Sequence, residues 1–273
     1  MNKIKIFLSN KSSSIAYAAM TAIFTIVPED VFTHGLIYVN WDISKIVIAN
    51  RLLTCSIILL IVKVIYTIYL RYNNSVTISN KNYTIKIEYG DILEIDDGKK
   101  VINFDECYTT KVGEQPEDIK SHSLCGQYLK KYPISNMQHL IATSGIRSSG
   151  SSKFRSKASY TPGTIILHGN FMLMAFAKLD KNGLGRLTYV EYVECLRNLW
   201  KQIDIYHGTD DVYLPILGSN ITRFDRELTQ QELLDIMLGS YRLSASKLKK
   251  PCTLHIVCQR RIGFSINNVF GLN

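Results

Sequence analysis

Two short loops in this 273-residue sequence carry the residue types that hold phosphate. Gly90-Asp91-Ile92 follows a β-branched run ending at Tyr89, and Gly218-Ser219-Asn220-Ile221-Thr222-Arg223-Phe224 follows Leu214-Pro215-Ile216-Leu217. Glycine lets main-chain N–H groups approach an anion, Ser219 and Thr222 add hydroxyls, and Arg223 adds a charge-assisted donor. In an α/β domain such loops lie at the carboxyl ends of strands, where ligands bind. Taken one at a time, each loop also reads as a plain turn.

Other chemistry-bearing groups are less organised. Asp180 to Glu191 fits a calcium-binding EF-hand loop at positions one, three, six, nine and twelve. Leu184 at position five has no oxygen to donate, Phe171–Ala177 before the loop reads as strand, and no second loop is present to pair with it. The expected form is a strand-to-helix turn in which Gly183 and Gly185 serve backbone geometry. His122, His139, His168, His207 and His255 show no HxxxH spacing and no neighbouring nucleophile, which points to structural or solvated roles. Six cysteines without a CxxC pair fit a reducing compartment rather than a disulfide framework or a zinc site. No catalytic and no metal-binding residue is expected.

The elements that must position these loops follow from periodicity. Runs rich in β-branched and aromatic residues predict strands at Thr84–Tyr89, Val101–Asp105, Thr164–His168, Phe171–Ala177, Val212–Leu217 and Leu254–Cys258. Tyr189, Val193, Leu196, Trp200 and Ile203 follow 4-3-4-3 spacing, one apolar stripe along a helix. Thr229-Gln230-Gln231-Glu232 is a capping box that opens another helix, with Leu233, Leu234, Met237 and Tyr241 behind it. Ser148 to Lys157 is Ser-rich, basic and without periodicity, and reads as a mobile loop. Strands alternating with helices predict a mixed or parallel sheet covered by helices over residues 73–273.

The first 72 residues differ. They hold two uncharged or nearly uncharged runs, Ser12–Val27 and Leu52–Leu70, which predict a transmembrane helical hairpin. Lys3, Lys5 and Lys11 before the first run and Arg71 after the second place both ends in the cytoplasm and Pro28 to about Asn50 outside. Val27-Pro28-Glu29-Asp30-Val31 has no small-x-small cleavage site, which argues against a removed signal peptide. Ser14, Ala18 and Ala22 line one face of the first helix, where another helix can approach, and the Lys63 stem can snorkel to the interface. The front holds seven Lys/Arg against three Asp/Glu and the remainder 25 against 20, a mild excess that suits lipid headgroups, nucleotides or nucleic acid alike.

The order of these pieces resembles a known family. A strand followed by Gly90-Asp91-Ile92, then near the other end a strand, a PxLGSxIxRF loop and a capped helix, is similar to the macro domain, an ADP-ribose-binding α/β fold. Together with the hairpin, Ser123-Leu124-Cys125-Gly126-Gln127 and Tyr160-Thr161-Pro162-Gly163-Thr164, the order resembles the membrane-anchored macro-domain effectors of bacterial Thoeris anti-phage systems. The resemblance implies an N-terminal transmembrane hairpin followed by a macro-like domain in the bacterial cell membrane. It implies that Asp91, with Ile92, contacts adenine, that Gly218, Ser219, Asn220, Ile221, Thr222, Arg223 and Phe224 wrap a diphosphate, and that Gly126 lies at the ligand. Asp105 is open between a contact to the sugar or its conjugate and the capping of a turn.

In that family a TIR-domain partner makes an ADP-ribose-type signal from NAD, a histidine–ADP-ribose conjugate in the transmembrane subtype. Binding then drives homo-oligomerisation and damage to membrane lipid, with no cofactor and no nucleic acid. Two departures favour binding over turnover. Asn103-Phe104-Asp105-Glu106 stands where macro hydrolases carry an Asn-Ala-Asn-like segment, and Asn220 and Arg223 stand where simpler macro domains often have glycine. The alternatives are a membrane-tethered hydrolase of ADP-ribose conjugates with Asp105 or Glu106 as base, and a calcium-gated membrane protein.

Overall fold

The computed structural model describes residues 10–34, 42–219 and 222–269. The chain divides into two compact units, one ending at Asn74 and the other running Ser75–Val269.

In the first unit, helix α1 (Asn10–Ile26) packs on helix α2 (Ile43–Tyr72). Ala16 and Met20 from α1 and Val47 and Asn50 from α2 are buried between them. A single 3-10 turn, Glu29–Phe32, closes the α1 end of the connection. Asn50 Nδ2 donates to the Phe32 carbonyl at 2.9 Å, Phe32 stacks on Phe24, and Arg51 pairs with Glu29 at 3.4 Å. These ties satisfy a buried amide that would otherwise be costly in an apolar helix pair. The stretch Ile43–Tyr69, 27 residues of mean hydropathy 2.2, is long and apolar enough to cross a membrane.

The expected hairpin of two spans is thereby reduced. At 17 residues, α1 covers roughly 25 Å at about 1.5 Å per residue, short of the roughly 30 Å hydrocarbon core. Among the described residues one helix has spanning length, with a shorter apolar partner. The helix also begins at Ile43 rather than Leu52, so Lys45 and Arg51 are helical and not in a loop. Lys3 and Lys5 lie outside the described residues. Ser14, Ala18 and Ala22 are exposed, on the side of α1 away from Ala16 and Met20.

The second unit is a sheet between two helical layers. In chain order it contains strands β1 (Ser75–Ser79), β2 (Thr84–Tyr89) and β3 (Lys99–Asp105), helices α3 (Leu124–Lys131) and α4 (Met137–Thr143), and the short strands β4 (Gly150–Ser151) and β5 (Ala158–Ser159). Strands β6 (Ile165–His168), β7 (Phe171–Leu179) and β8 (Gly185–Leu187) come next, then helix α5 (Tyr189–Tyr206), β9 (Val212–Pro215), β10 (Arg223–Phe224), helix α6 (Gln230–Leu243) and β11 (Thr253–Cys258). The main sheet runs β1-β2-β11-β9-β3-β7-β8-β10, with β6 also on β7. The central strands β2, β11, β9, β3 and β7 are parallel to one another, so their carboxyl ends meet along one edge. Buried on both faces, β7 reads as the nearly unbroken apolar run Phe171 to Ala177.

Strand alternation divides the core. Ile102, Phe104, Leu173 and Ala175 pack with Cys125, Tyr128 and Leu129 of α3 and Met137 and Ile141 of α4. Phe176 turns to the other face, where its ring meets Tyr192 of α5 edge-on at 6.1 Å. There α5 and α6 pack through Trp200 and Tyr241, with Trp200 Nε1 donating to Ser240 Oγ at 3.0 Å. Both helices open on reciprocal capping boxes, Thr188 with Glu191 and Thr229 with Glu232.

Several expectations are corrected. Leu196, Trp200 and Ile203 of the expected α5 stripe are buried, joined by Tyr192, Cys195 and Leu199; Val193 is half-buried at its edge, and Tyr189 is exposed and lies under Arg226. The strand starting at Val212 ends at Pro215. Ser148 to Lys157 is no irregular loop: it supplies the β4 side of a hairpin with β5, and Ser152 and Phe154 are buried. The EF-hand-like segment is a strand-to-strand turn between β7 and β8 before it becomes a helix start. Asp180 Oδ1 accepts from the N–H groups of Asn182 and Leu184, Oδ2 pairs with Arg186, and Glu191 is the capping carboxylate.

Candidate ligand cleft

Loops leave the carboxyl ends of β2, β11, β9, β3 and β7 side by side, and a cleft opens between them. Its main cavity, about 300 Å³, is bounded by Asp105 after β3, Asp118 to Lys120, Cys125 on α3, Phe176 on β7, and Gly218 and Arg223 after β9. A smaller hollow of about 60 Å³ continues past Gly90, Asp91, Ile92, Gln127, Gln259 and Arg261. Leu124, Pro215, Ile216 and Ser219 line both, which makes the two hollows one elongated cleft. The walls are mostly apolar with a few placed polar groups, the usual chemistry of an organic ligand site.

Each loop is fixed by local chemistry. Asp91 Oδ1 accepts from Leu93 N at 2.9 Å and so caps the 3-10 turn Ile92–Glu94. The second carboxylate oxygen has its own acceptor capacity, so capping and ligand contact do not exclude each other. Lys131 holds the same turn from α3, donating to the Leu93 carbonyl at 2.9 Å and pairing with Glu94 at 3.0 Å. Ile92 is buried beneath it. Across the cleft, Gly218 has φ +81, and a Cβ there would stand 2.6 Å from the Phe224 ring, so both backbone and space require glycine. Arg261 Nη1 donates to the Ser219 carbonyl at 2.7 Å and ties the β11 loop to the β9 loop.

Asp105 is buried at the cavity wall, and its Oδ1 accepts from Cys107 N at 2.8 Å and Thr109 N at 3.1 Å. It therefore does cap a turn. Burial raises its carboxyl above the ordinary range, outweighing the Thr109 and Cys107 hydrogen bonds that pull it down. Cys125 on the same wall is fully enclosed, and burial pushes its thiol well up, which makes it a poor nucleophile at neutral pH. Glu106, the other acid considered as a base, turns away from the cavity. Its Oε1 accepts from Ser152 Oγ at 2.5 Å and Leu179 N at 3.0 Å, fastening the β4–β5 hairpin to β7.

Of the residues expected at the ligand, Asp105, Gly218, Ser219, Thr222 and Arg223 line the main cavity, and Asp91 and Ile92, with Ser219 again, line the hollow. Phe224 packs edge-on against Tyr192 at 5.3 Å instead, and buttresses Gly218. Gly126 sits in the first turn of α3, where a Cβ would come within 2.2 Å of the Lys120 carbonyl; the glycine there serves close packing. Asn220 and Ile221 lie outside the described residues. His168 bonds Tyr128 OH at 2.6 Å, and His255 lies between Glu88 and Asp211, so both take part in structural pairs within the sheet layer.

Other wall residues give little sequence signal. Asp118, Lys120 and Arg261 come from segments without periodicity, and only the run Ser123 to Gln127 marks the α3 side. Among the described residues no cluster of three or more His, Cys, Asp or Glu is arranged to hold a metal.

A macro domain of Oceanobacillus iheyensis superposes with a TM-score of 0.42 at 12% identity, over 69% of this chain and 91% of the other. The macrodomain of Thermus aquaticus DarG gives 0.38 at 14%, over 64% and 97%. Both likenesses are too distant to argue from. The sequence is 29% identical to the Thoeris protein ThsA of Bacillus amyloliquefaciens (strain Y2) over 235 residues, 82% of this chain and 77% of that protein. The model of the Thoeris ThsA macro domain matches residues 85–259, from β2 to the end of β11 and so every cleft-lining residue but Arg261. On that match the chain belongs to the Thoeris ThsA macro-domain family.

Proposed function

We propose that this protein is a membrane-anchored anti-phage effector that binds an ADP-ribose-type nucleotide, such as histidine–ADP-ribose, made by a TIR-domain partner. Binding drives self-association, and the assembled apolar helices then break the membrane. One observation carries this reading: the elongated cleft at the carboxyl ends of parallel strands has a carboxylate at the Asp91 end, Ser219 of the glycine turn where the two hollows join, and the cation Arg223 on the main cavity. That order suits an adenine, a diphosphate and a sugar in sequence.

The membrane step draws on α1. Its small residues Ser14, Ala18 and Ala22 face away from α2, which leaves them for helices of other copies. A ligand shifts such an equilibrium only by its differential affinity for the assembled state. In liposomes carrying the full-length chain, histidine–ADP-ribose should release entrapped dye and raise the oligomeric state by light scattering. Ligand binding with neither effect refutes the effector reading.

Asp105 supports a second reading. A cavity carboxyl held above its ordinary range is the kind of group that transfers protons in hydrolysis. Against it, Oδ1 is occupied by two main-chain donors and Glu106 by two others. Steady release of free ADP-ribose from the conjugate by purified protein would replace the sensor with a hydrolase.

A further inference from the structure

The main sheet ends on two unlike edges. At one end β10 is only two residues long, Arg223–Phe224, and belongs to the ligand loop. At the other, β1 (Ser75–Ser79) pairs with β2 through five consecutive residues without a bulge, and among the described residues no strand lies on its outer side. Sheet edges are commonly blunted by lysine, proline, a bulge or a very short strand. None of these protects β1. Ser75-Val76-Thr77-Ile78-Ser79 is uncharged, rich in β-branched residues and of ordinary strand length.

Backbone and side chains are both set for a further strand. Asn80 N donates to the Tyr83 carbonyl at 3.0 Å, one step beyond the Ser79–Thr84 pair of the register. Main-chain groups point to alternate sides along an antiparallel strand, so those of Val76 and Ile78 turn to β2, as Asn80 does, and those of Thr77 and Ser79 turn outward. Val76 and Ile78 lie opposite the fully buried Ile87 and Ile85 but are themselves only half-buried. The segment is also nearly palindromic: Asn74-Ser75-Val76-Thr77-Ile78-Ser79-Asn80 reads the same from either end apart from the Val–Ile exchange. An antiparallel copy turned about Thr77 sets Asn against Asn, Ser against Ser, Val76 against Ile78 and Thr77 against itself, with no charge facing another. Such self-complementarity names the occupant as a second copy of this chain, because a two-fold contact uses the same patch on both subunits.

We propose that β1 is the surface through which two copies join, their sheets continuing across an antiparallel β1–β1 pair centred on Thr77. It rests on the reading that ligand makes the chain self-associate, and gives that association its contact. Thr77 exchanges two main-chain hydrogen bonds with Thr77 of the second copy, and the Val76–Ile78 pairs extend the apolar layer over their half-buried side chains. A five-residue edge falls below the roughly 1,000 Å² of a stable interface, so it joins only copies already held close. Only Asn73 and Asn74 separate β1 from the apolar helix α2. Copies whose α2 helices gather therefore present their edges at high effective concentration.

Cysteine cross-linking of the full-length chain in liposomes, with and without histidine–ADP-ribose, tests this, wild type giving the background of the native cysteines. Thr77→Cys should form a covalent dimer on oxidation, because paired Cα atoms in such a ladder lie about 5.5 Å apart, within disulfide reach. Ser75→Cys and Ser79→Cys should each fail alone, since either residue and its own copy stand four residues, about 14 Å, apart along the strands; mixed, they should cross-link. Ser79→Cys joining to itself, or a ligand-driven rise in oligomeric state with no Thr77→Cys dimer, overturns the proposal. Thr77→Pro removes an outward N–H and no bond to β2, so melting temperature and ligand affinity should hold while the ligand-driven rise is lost. An undiminished rise in that variant also overturns it. If wild type shows no rise with ligand, the proposed function fails by itself; a Thr77→Cys dimer would then still support the edge contact, and its absence would end it.

Discussion

Replacing Arg223 with alanine isolates the charge of the ligand loop. The side chain is exposed, lines the main cavity and makes no hydrogen bond or ion pair among the described residues. Its strand partner, Arg186, is joined through the main chain, which the substitution leaves intact. Folded-state stability should therefore change by less than about 0.5 kcal/mol, as for surface positions generally. Ligand affinity should change far more. A hydrogen bond to a charged group contributes about 1.5–3 kcal/mol, roughly ten- to hundredfold in affinity at about 1.4 kcal/mol per decade. The exposure of Arg223 argues for the lower half of that range, since water competes for both partners. Arg223→Lys should fall between, keeping a point charge but losing the planar fork. Titration of ADP-ribose into full-length protein gives the affinity, and a thermal melt gives the stability. Unchanged affinity in Arg223→Ala would mean that this loop does not hold the diphosphate. A melting-point loss matching the affinity loss would mean that the effect was structural.

Asp91→Asn should keep the cap on Leu93 N, and with it the melting temperature, but lose preference for ADP-ribose over its hypoxanthine analogue; retained preference would leave Asp91 a turn cap only. Asp105→Asn addresses pH. The folded carboxyl is raised above its unfolded value of about 3.9, so its favourable contribution is present below that value and is lost as pH rises through the folded one. The variant should thus be more stable than wild type at pH 7, with the difference vanishing near pH 3 in denaturant melts; a constant difference across pH would refute this. Leucine at both Ala18 and Ala22 should spare ligand binding and soluble association yet abolish dye release from liposomes, because bulk on the exposed face of α1 keeps helices of neighbouring copies apart. Persistent leakage would exclude that face.

Local chemistry is legible in the residues themselves. The β-branched runs mark β2 and β11 almost to the residue, and the capping box at Thr229 locates the start of α6. The same kind of box at Thr188 and Glu191 is hidden by its overlap with a calcium-loop pattern, since a Thr and a Glu three apart serve either motif. On α5 the spacing finds Leu196, Trp200 and Ile203 on the buried face but adds Tyr189 and Val193, which are apolar enough to extend the series past the face that packs. The two ligand loops stand out through glycine, whose positive φ at Gly218 is a property of the residue type itself.

What the sequence determined, then, is what depends on neighbours within a turn or two: strand positions, caps, the glycine loops and the apolar run Leu52–Leu70, which lies within the longer helix Ile43–Tyr72. What only the tertiary structure decided depends on groups brought together across the chain. Glu106 reads as a candidate base in the sequence, yet Ser152, 46 positions away, and Leu179, 73 away, occupy its carboxylate in the fold. The cleft wall of Asp118, Cys125, Phe176 and Arg223 is assembled from four separate elements, and a Ser-rich segment closes into a hairpin over buried Phe154. Local propensity acts through backbone dihedrals and adjacent side chains, whereas a cavity is the space left after distant elements have packed, and no short stretch of residues encodes that space by itself.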